Sequence, residues 1–570
     1  MKREPERLIE RTFDVLVIGA GIYGAWAALD AALRGLSVAV IDRGDFGAAT
    51  SANNLRVIHG GLRYVQHLDP GRMRESIREQ RILMQVAPHL VHPLPCAVPA
   101  YGHGLRGRQA LRMALLANHL AGLGCRGGAV GARQLPRGRI IDRGRMRQIA
   151  PDIADRGLAG GALWHEAQVR DPERLVLAVI QTAAAHGAAA ANYVEARELL
   201  VERGCVCGAR AKDRLDGAEL EIRARVTLNL TGPWTDRLLA RTFPGLLPAL
   251  FPPSQAWNLV LRRRLPLECA VGLYSRRPYR DRDRRLRRGS RFLFFVPWRE
   301  ATLIGTSHRP FPPDRLEPEM GHDEAELADL LEEASGAYPA ASLVRGDVVG
   351  AFGGLLPGVS DLRTGDVRLV KRPVIRDHSE ADGIPGLVTA VGVKFTTARW
   401  VAERVIELAV AQLDRRPGEC RTRVTPLLPG DLENWERFRE NAEARRPATV
   451  PPRSFVCLVE GHGKGFGRVL DLACERGSLL DPLADGCSVL GAEVVHAVRH
   501  EMAVKLMDVV RRRTDLGKAG LRSDHGIRQA AALMAGELGW EAARREAEIA
   551  EVLAAYRPFL GSGFQREIRQ

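Results

Sequence analysis

Residues 13–42 constrain the fold more than any other part of this chain. An apolar run at residues 15–18 leads into a glycine-rich turn and a helix of small residues, and a second apolar run at residues 37–41 ends on Asp42. This order of strand, turn, helix, strand and acidic residue is typical of a βαβ unit that binds a dinucleotide. It predicts a Rossmann-like α/β domain at the start of the chain.

Each glycine of the turn has a separate physical task. Gly19 permits the tight turn, Gly21 lets the backbone approach a pyrophosphate, and Gly24 lets the helix pack on the strand. Free N–H groups at the helix N-terminus attract phosphate, and Asp42 can accept hydrogen bonds from a ribose. The alternative interpretation is a glycine-rich turn without a ligand. The residues predicted to bind the dinucleotide here are Gly19, Ala20, Gly21, Ile22, Tyr23, Gly24 and Asp42.

Length and composition set the outer limits. A chain of 570 residues predicts two to four domains of about 150 residues each, and a hydrophobic content of 45% is that of a globular protein. No apolar run is long enough for a transmembrane helix, and no apolar signal core precedes the first strand. The nine cysteines form no CxxC or other metal pattern. We therefore expect reduced thiols, a cytoplasmic location and no metal site.

The net charge of +15 favours anionic partners, and arginine is densest at residues 276–291. This cluster has no interleaved aromatic residues and no nucleic-acid motif, so nucleic acid is not expected as a partner. Anionic lipid headgroups fit it better, which favours peripheral binding to the inner face of the cytoplasmic membrane. The alternative is a solvated loop.

Apolar periodicity divides the rest of the chain. It predicts helices at residues 72–87, 104–121, 172–187 and 397–413, and strands at residues 192–207, 219–230, 256–265, 291–306 and 387–393. Six prolines between residues 415 and 452 are typical of a linker. Residues 464–560 have helical spacing and little strand signal, which predicts a separate helical domain.

A second glycine-bearing segment, residues 49–64, follows the acidic residue closely. Its hydroxyl and amide side chains, on Thr50, Ser51 and Asn54, could bond a pyrophosphate or ribose. Gly60 and Gly61 would let the backbone lie against a flat ring. Taken alone, the segment is only a glycine-bearing loop.

Together with GAGIYG, the segment ATSANNLRVIHGGLRYVQH resembles the flavin-dependent glycerol-3-phosphate dehydrogenases of the D-amino-acid-oxidase-like superfamily. Further family motifs occur in the expected order over essentially the whole chain. They are LTGPW at 230–234, FFVPW at 294–298, LIGTSH at 303–308, VIRD at 374–377, VGVKFTTAR at 391–399, LLPGD at 427–431 and HEMAVKLMDVVRRRTDLG at 500–517.

The resemblance implies an α/β + α architecture. A Rossmann-like FAD-binding domain is interleaved with a mixed β-sheet substrate-cap domain and is followed by a C-terminal helical domain. The boundaries it suggests are residues 1–90, 160–240 and 345–415 for the FAD-binding domain, 91–160 and 241–344 for the cap, 416–452 for a linker and 453–570 for the helical domain.

The resemblance also implies noncovalent FAD. The diphosphate would lie on the glycine turn, the adenosine ribose on Asp42, and the residues at 50, 51 and 54 would touch the diphosphate or the flavin. Lys394 could steady negative charge on the reduced ring, although a surface lysine is the alternative. The further residues expected around the flavin are His59, Gly60, Gly61, Leu62, Gly232, Gly392, Lys394, Phe395 and Thr396.

The implied reaction belongs to glycerol metabolism. It oxidises sn-glycerol 3-phosphate to dihydroxyacetone phosphate by hydride transfer to flavin, and electrons then pass to quinone, or to oxygen in oxidase relatives. Arg63 and Arg376 match the family's substrate-site arginines, with Tyr64 as a weaker companion. An arginine suits a phosphate because its planar fork binds two oxygens.

Two positions depart from the family pattern. Leu356 stands where the family has an arginine, and Asn258 stands where it has a histidine. A leucine removes a charge-assisted anion contact, and an asparagine can position a hydroxyl but cannot act as a base. His59 or His308 would then supply the base, unless both are merely packed or solvated histidines.

Four functions of the chain are therefore considered. The first is the glycerol-3-phosphate enzyme, with a small anionic substrate and either a monomer or a homodimer. The second keeps FAD but acts on another secondary alcohol, hydroxy acid or amine. The third is a flavoprotein that binds nucleic acid or a protein partner without turnover, and the fourth is a nicotinamide enzyme.

Overall fold

The structure, a computed structural model, describes residues 1–67, 69–102, 104, 107–125, 135–279, 289–312, 324–361, 366–430 and 434–559. The strands of this part of the chain are β1 Phe13–Ile18, β2 Val38–Ile41, β3 Val57–Ile58, β4 Val91–Tyr101, β5 Arg139–Ile141, β6 Leu158–Val169, β7 Ala189–Ala191, β8 Val194–Glu202, β9 Cys205–Asp213, β10 Glu219–Asn229, β11 Pro253–Leu261, β12 Ala270–Tyr279, β13 Gly289–Trp298, β14 Ala301–Pro310, β15 Val348–Asp361, β16 Asp366–Leu369, β17 Val374–Asp377 and β18 Leu387–Val391.

The helices of the same residues alternate with these strands and then dominate the last quarter. They are α1 Ile22–Leu33, α2 Pro70–Val86, α3 Arg108–Gly122, α4 Arg143–Ile149, α5 Pro172–Ala185, α6 Thr235–Thr242, α7 Glu324–Ala337, α8 His378–Asp382, α9 Ala398–Ala411, α10 Trp435–Glu443, α11 Pro452–His462, α12 Phe466–Asp471, α13 Gly491–Glu501, α14 Leu506–Asp508, α15 Asp524–Leu538 and α16 Ala542–Tyr556.

The first sheet has the order β17-β18-β10-β1-β2-β7, with β8 and β9 added beside β10. The pairs from β18 to β7 are parallel, so the carboxyl ends of β1, β2 and β10 meet at one edge. The apolar side chains of β1 and β2 are buried on both faces of the sheet. On one face they pack against helices α1, α5 and α9. On the other face they belong to a separate apolar cluster. This arrangement confirms the predicted Rossmann-like domain and its first βαβ unit.

The second sheet has the order β16-β15-β11-β14-β13-β12-β4-β6-β3, with β5 beside β6. Its pairs are antiparallel except for β12 with β4. Leucines of α7 pack on one face of this sheet with side chains of β11 and β12. It corresponds to the mixed sheet expected for the cap domain.

Sheet membership differs from the predicted boundaries at three places. Strands β3 and β15 and most of β6 belong to the second sheet, although residues 1–90, 160–240 and 345–415 were assigned to the first domain. The reason is long-range pairing: β3 pairs with β6 through Val57 and Gln168, and β15 pairs with β11 along its length. The chain therefore crosses between the two sheets more often than the predicted boundaries indicate.

The described parts of the range 416–452, which are residues 416–430 and 434–452, contain side chains buried against the rest of the protein. The Leu427 side chain is fully buried and its backbone N–H donates to the carbonyl oxygen of Val86. Helix α10 lies within this range, and its first residue, Trp435, joins the core of the C-terminal helices. The prolines thus mark turns in a docked segment.

The predicted C-terminal helical domain is confirmed by helices α11 to α16. It docks on the first domain through Asp45, which is buried just after β2. Asp45 accepts hydrogen bonds from Arg512 Nε at 2.6 Å and from Arg513 Nη1 at 2.7 Å, and Asn192 Nδ2 donates to it at 3.0 Å. Arg512 and Arg513 lie in a π-helical turn, Val509–Arg513. A buried ion cluster therefore joins the two ends of the chain.

In the described part of the chain, no helix is both long enough and apolar enough to cross a membrane. Most of the arginine cluster at residues 276–291 lies outside the described residues. Each predicted helix and strand outside it has a counterpart, and the prediction for residues 291–306 corresponds to the β13–β14 hairpin.

Candidate functional site

A cavity of about 1910 Å³ runs along the carboxyl edge of the first sheet and reaches the second sheet. Small-molecule sites usually have volumes of about 300–1,000 Å³, so this cavity can hold an extended ligand together with a smaller one. Its wall includes residues of both sheets and eight residues of the C-terminal domain. Those eight are Lys505, Met507, Arg511, Arg512, Glu551, Ala554, Ala555 and Pro558.

The glycine turn after β1 cannot accept larger residues. Gly19 has φ +99°, and a Cβ atom there would lie 2.6 Å from the carbonyl oxygen of Leu230. A Cβ atom on Gly24 would lie only 1.7 Å from the carbonyl oxygen of Gly19. Gly21 caps α1, and the Ile22 N–H of the first helical turn donates to Ser51 Oγ at 2.9 Å. The turn thus presents backbone N–H groups and a helix N-terminus to the cavity.

Asp42 holds this turn against the end of β2. Its Oδ2 accepts from Ala20 N at 2.7 Å and its Oδ1 from Gly44 N at 2.9 Å. Burial raises the pKa of Asp42 to about 6. Next to it, the Arg43 guanidinium lies 3.7 Å from the centroid of the Trp234 ring. One end of the cavity therefore has a carboxylate beside a cation–aromatic pair.

The predicted hydroxyl and amide residues line the cavity but also hold the loop in shape. Thr50 Oγ1 donates to the carbonyl oxygen of Leu355 at 3.1 Å, which joins the loop to β15. Asn54 Nδ2 donates to Ser51 O at 2.8 Å, and Asn54 Oδ1 accepts from Arg56 N at 2.7 Å. The side chain of Ser51 bonds α1, as described above.

The segment after β18 packs against α1 through Tyr23. Tyr23 OH donates to the carbonyl oxygen of Lys394 at 2.6 Å and accepts from Lys394 N at 3.0 Å. A Cβ atom on Gly392 would lie 1.9 Å from Tyr23 Cζ. Lys394 Nζ lies 4.2 Å from the centroid of the Tyr64 ring, and burial lowers the pKa of this lysine. The structure thus brings together three segments that are far apart in the sequence.

Glu166 of β6 is a site residue that the sequence analysis missed. This buried carboxylate accepts hydrogen bonds from the Gly60 N–H and from Trp164 Nε1, and its Oε1 lies 4.0 Å from His59 Nδ1. The only signal in the sequence is an acidic residue within a strand of mostly apolar and small residues. Gly60 and Gly61 do not themselves line the cavity, because their backbone packs on this strand and on α2.

The other end of the cavity carries the candidate base residues. Asn258 is almost fully buried, and both atoms of its amide are engaged: Oδ1 accepts from Thr306 Oγ1 at 2.8 Å, and Nδ2 donates to Phe352 O at 3.3 Å. His308 Nδ1 is buried and has no hydrogen-bond partner among the described residues. Burial, with Arg63 and Arg291 nearby, lowers the pKa of His308 to about 3.

The two predicted substrate arginines are not together. Arg63 lines the cavity, is exposed, and forms no ion pair among the described residues. Arg376 does not line the cavity. Its guanidinium pairs with Asp382 of α8 instead: Nε donates to Oδ2 at 2.8 Å, and Nη2 donates to Oδ1. The expected role of Arg376 in substrate binding stays a prediction. Leu356 does line the cavity, and so does Arg291, which the sequence analysis did not single out and which pairs with Glu333.

Most of the other predicted residues lie on the cavity wall. The exceptions are Ala20, Gly24, Gly60, Gly61 and Arg376. The members of the predicted set that do line it are Gly19, Gly21, Ile22, Tyr23, Asp42, Thr50, Ser51, Asn54, His59, Leu62, Arg63, Tyr64, Gly232, Asn258, His308, Leu356, Gly392, Lys394, Phe395 and Thr396.

Comparison with known families agrees with this geometry. A family model described as FAD dependent oxidoreductase (DAO) matches residues 14–408. The chain belongs to this family. A second model, described as the C-terminal domain of alpha-glycerophosphate oxidase, matches residues 420–545. The resemblance to D-amino-acid-oxidase-like flavoproteins, the fold class and FAD as cofactor are thereby confirmed.

The relatives are similar over most of their length. A glycerol-3-phosphate dehydrogenase of Synechocystis sp. is 30% identical over 543 residues, which are 92% of each chain. One of Mycobacterium leprae is 31% identical over 96% of this chain and 88% of its own. The glycerol-3-phosphate dehydrogenase of Bacillus halodurans, solved in complex with FAD, has a TM-score of 0.75 at 23% identity and covers 98% of this chain and 97% of that one.

The residues of this site fit FAD. The glycine turn leaves no room for a Cβ atom at residues 19 and 24, and the helix N-terminus beside it suits a diphosphate. Trp234 Nε1 is a buried donor on the cavity wall without a partner among the described residues. The cavity is also long enough to reach from Asp42 to the histidines at its other end.

Proposed function

We propose that this flavoenzyme oxidises sn-glycerol 3-phosphate to dihydroxyacetone phosphate. The observation that carries the proposal is Arg63, which lies on the wall of the FAD cavity that also holds His59 and His308 and has no ion-pair partner in the described part of the chain. The relatives named glycerol-3-phosphate dehydrogenase, about 30% identical over more than nine-tenths of this chain, support it. A phosphate dianion requires such a cation, and an alcohol requires a base.

Residues of this chain would hold the two reactants. The glycine turn and the N-terminus of α1 would bind the FAD diphosphate, Asp42 the adenosine ribose, and Lys394 would face the flavin end. When bound, FAD accepts a hydride from the carbon that carries the alcohol. Arg63, helped by Arg291, would bind the substrate anion, and an imidazole would take the hydroxyl proton.

The decisive experiment is a flavin titration under anaerobic conditions. We expect sn-glycerol 3-phosphate to bleach the flavin absorbance of the purified yellow protein. If dithionite bleaches the flavin and sn-glycerol 3-phosphate does not, the proposed substrate is wrong.

A second candidate keeps FAD but changes the substrate to another hydroxy or amino compound. Leu356 favours it, because an apolar side chain lies on the cavity wall where the family has an arginine. Asn258 favours it as well, since its amide is held by Thr306 and Phe352. The same titration with glycerol, 2-hydroxy acids and amino acids separates the two candidates.

The two arginines should differ sharply in mutants. Arg63→Gln removes the unpaired cation, so we expect KM for the anionic substrate to rise by roughly 10- to 100-fold, the equivalent of about 1.5–3 kcal/mol for a charged hydrogen bond. Arg376→Gln should leave KM nearly unchanged and instead lower thermal stability, because it breaks the pair with Asp382. Steady-state kinetics and a melting curve test both. A larger KM effect at residue 376 would contradict the placement.

Cofactor affinity should depend on pH through Asp42. A ribose hydroxyl donates to the carboxylate form of Asp42. In the protein without FAD, burial raises the pKa of this side chain to about 6. FAD affinity should therefore be complete above pH 6 and fall as the pH decreases below it. Asp42→Asn should bind FAD more weakly and without this pH dependence. FAD retention on gel filtration between pH 5 and 8 measures both variants, and equal losses of FAD at low pH would contradict the assignment.

We further propose that electrons leave to quinone and that the protein binds an anionic membrane peripherally. Helix α3 supports this, because several of its residues line the cavity and it exposes apolar side chains to solvent. Met113, Leu116 and Leu120 are 62%, 47% and 52% exposed. Arg108 and Arg112 lie on the same helix, which suits anionic headgroups.

Vesicle flotation tests this surface. Leu116→Gln with Leu120→Gln should lower binding to phosphatidylglycerol vesicles at least about tenfold, because two leucines lose apolar burial. Leu246→Gln, at a leucine of another segment that is 65% exposed, is the control. Unchanged flotation in the double variant would count against the membrane surface, and a loss of dimers instead would assign α3 to self-association.

A further inference from the structure

Four groups converge on the carboxylate of Glu166 beneath the 59–62 segment. Its Oε2 accepts from the Gly60 N–H and from Gln80 Nε2 at 3.1 Å, and its Oε1 accepts from Trp164 Nε1 at 3.0 Å. Gln80 Nε2 also donates to the carbonyl oxygen of Ile58 at 2.8 Å. These bonds come from β6, α2 and the loop after β3, so the carboxylate position is determined from three directions.

The fourth group is His59. Its Nδ1 lies 4.0 Å from Glu166 Oε1, and within the described residues no lysine or arginine comes within ion-pair distance of this carboxylate. Glu166 is 2% exposed, and an anion at such a depth needs donors or a positive charge. Although burial opposes it, His59 and the donors above lower the pKa of Glu166, so it is a carboxylate at neutral pH.

His59 has a constrained environment on every side. Phe294 of β13 packs edge-on against the ring at 6.1 Å between centroids. Arg63 of the same segment and Lys394 of the segment after β18 add positive charge, and Glu166 is the negative charge that faces them. Burial lowers the pKa of His59, so the ring is neutral at pH 7 and carries one proton. The carboxylate favours that proton on Nδ1, which leaves the lone pair on Nε2.

His308 has the opposite environment. Arg63 and Arg291 are the charged groups nearest to it, and no described carboxylate pairs with it. A proton added to His308 would therefore meet only like charge in a desolvated site. The two candidate bases of the cavity thus differ in one respect, which is the presence of an anion behind the ring.

We propose that Glu166 is a positioning residue that holds His59 with its proton on Nδ1, so that His59 Nε2 accepts the hydroxyl proton of the substrate alcohol. In the reaction the O–H bond of the alcohol breaks and an N–H bond forms on His59 Nε2. The C–H bond of the carbon that carries the hydroxyl group also breaks, and its hydrogen passes to FAD with both bonding electrons. A C=O double bond forms between that carbon and the oxygen. The resulting imidazolium faces the Glu166 carboxylate, which stabilises it.

The proton position can be read without substrate. Nitrogen-15 NMR of the histidine-labelled, FAD-loaded protein at pH 8 should show the Nδ1–H tautomer for His59, assigned with His59→Gln. Glu166→Gln should lower the pKa of the His59 ring by about one unit or more, because an anion next to the ring is lost. Glu166→Asp keeps the charge and should retain most of the wild-type pKa. Glu460→Gln, at a half-buried carboxylate outside the cavity, is the control.

The kinetic arm rests on the proposed function. In anaerobic flavin reduction by sn-glycerol 3-phosphate, His59→Gln should slow the rate at least about 100-fold, as expected for a lost general base. Glu166→Gln should slow it about tenfold and move the acidic limb of the rate profile to lower pH, in line with a shift of one pKa unit. If Glu166→Gln does not fold or loses FAD, the proposal is still tested by two measurements. They are the ring pKa of His59 in Glu166→Asp and the tautomer of His59 in the wild type.

Three results would overturn the proposal. They are an Nε2–H tautomer at His59, an unchanged ring pKa in a folded Glu166→Gln variant, and a larger rate loss in His308→Gln than in His59→Gln. Failure of the proposed substrate looks different, because the wild-type flavin would then be reduced by dithionite but not by sn-glycerol 3-phosphate. The NMR result would be unaffected in that case.

Discussion

Gly24→Ala is expected to yield a protein without FAD. The new Cβ atom would lie 1.7 Å from the carbonyl oxygen of Gly19, so α1 must move away from β1 and the turn between them must open. Overpacking of this kind costs about 1–3 kcal/mol when side chains can yield, and here the obstacle is backbone. We expect loss of the yellow colour after purification and a melting temperature several degrees lower.

The matched control is Gly44→Ala, at a glycine that lines the cavity just after β2. The nearest atom to its added Cβ would be Asp42 Oδ1 at 3.8 Å, which is ordinary contact, and the Gly44 N–H keeps its bond to Asp42. This variant should retain FAD. Full flavin content in Gly24→Ala would contradict the account of the turn, and loss of flavin in both variants would mean that the loop, not the turn, is sensitive.

Asp45→Asn is expected to release the C-terminal domain. Asp45 bonds Arg512 and Arg513, and removal of the charge leaves two buried guanidinium groups without their shared anion. Breaking a buried pair costs about 3–5 kcal/mol. Because Arg512 lines the cavity, FAD should also be held less tightly. Limited proteolysis should cut near Leu427, whose side chain is fully buried in the wild type.

The pH dependence follows from the same cluster. Although burial opposes it, Arg513 and Arg512 hold the pKa of Asp45 at about 2, below its usual value of 3.8. The stabilisation is therefore complete above about pH 4 and is lost as the pH falls towards 2.

Asp485→Asn, at an exposed aspartate of the C-terminal domain, should change neither proteolysis nor flavin content. A protease-resistant, fully loaded Asp45→Asn would contradict the docking role.

The features that could be predicted from the sequence are local ones. The clash that requires glycine at residue 24 involves an atom five residues away, so the motif carries its own explanation. The helix at α5 begins at Pro172 and is followed by Gly187 at φ +94°, both visible in the sequence. Apolar alternation likewise predicts the strands, because burial on one face requires it.

The features that could not be predicted depend on distant partners. Glu166 accepts hydrogen bonds from Gly60 and Gln80, which lie 106 and 86 residues away in the sequence. Nothing near Glu166 in the sequence indicates these two partners. Thr50 holds Leu355 across 305 residues. Arg376 matches a family motif, yet the turn into α8 places Asp382 against it, and only the folded chain shows that its charge is already neutralised.

The ion cluster at Asp45 also sets an order of events during synthesis. Its partner Arg512 follows 467 residues later. At about 5–20 residues per second, a ribosome leaves Asp45 without that partner for roughly 25 to 90 s. During this interval the nascent chain already contains the glycine turn but not the residues from 505 onwards that complete the cavity wall. A nascent chain that takes up FAD in this interval would therefore do so through a cavity whose wall is incomplete on the side of the last helices.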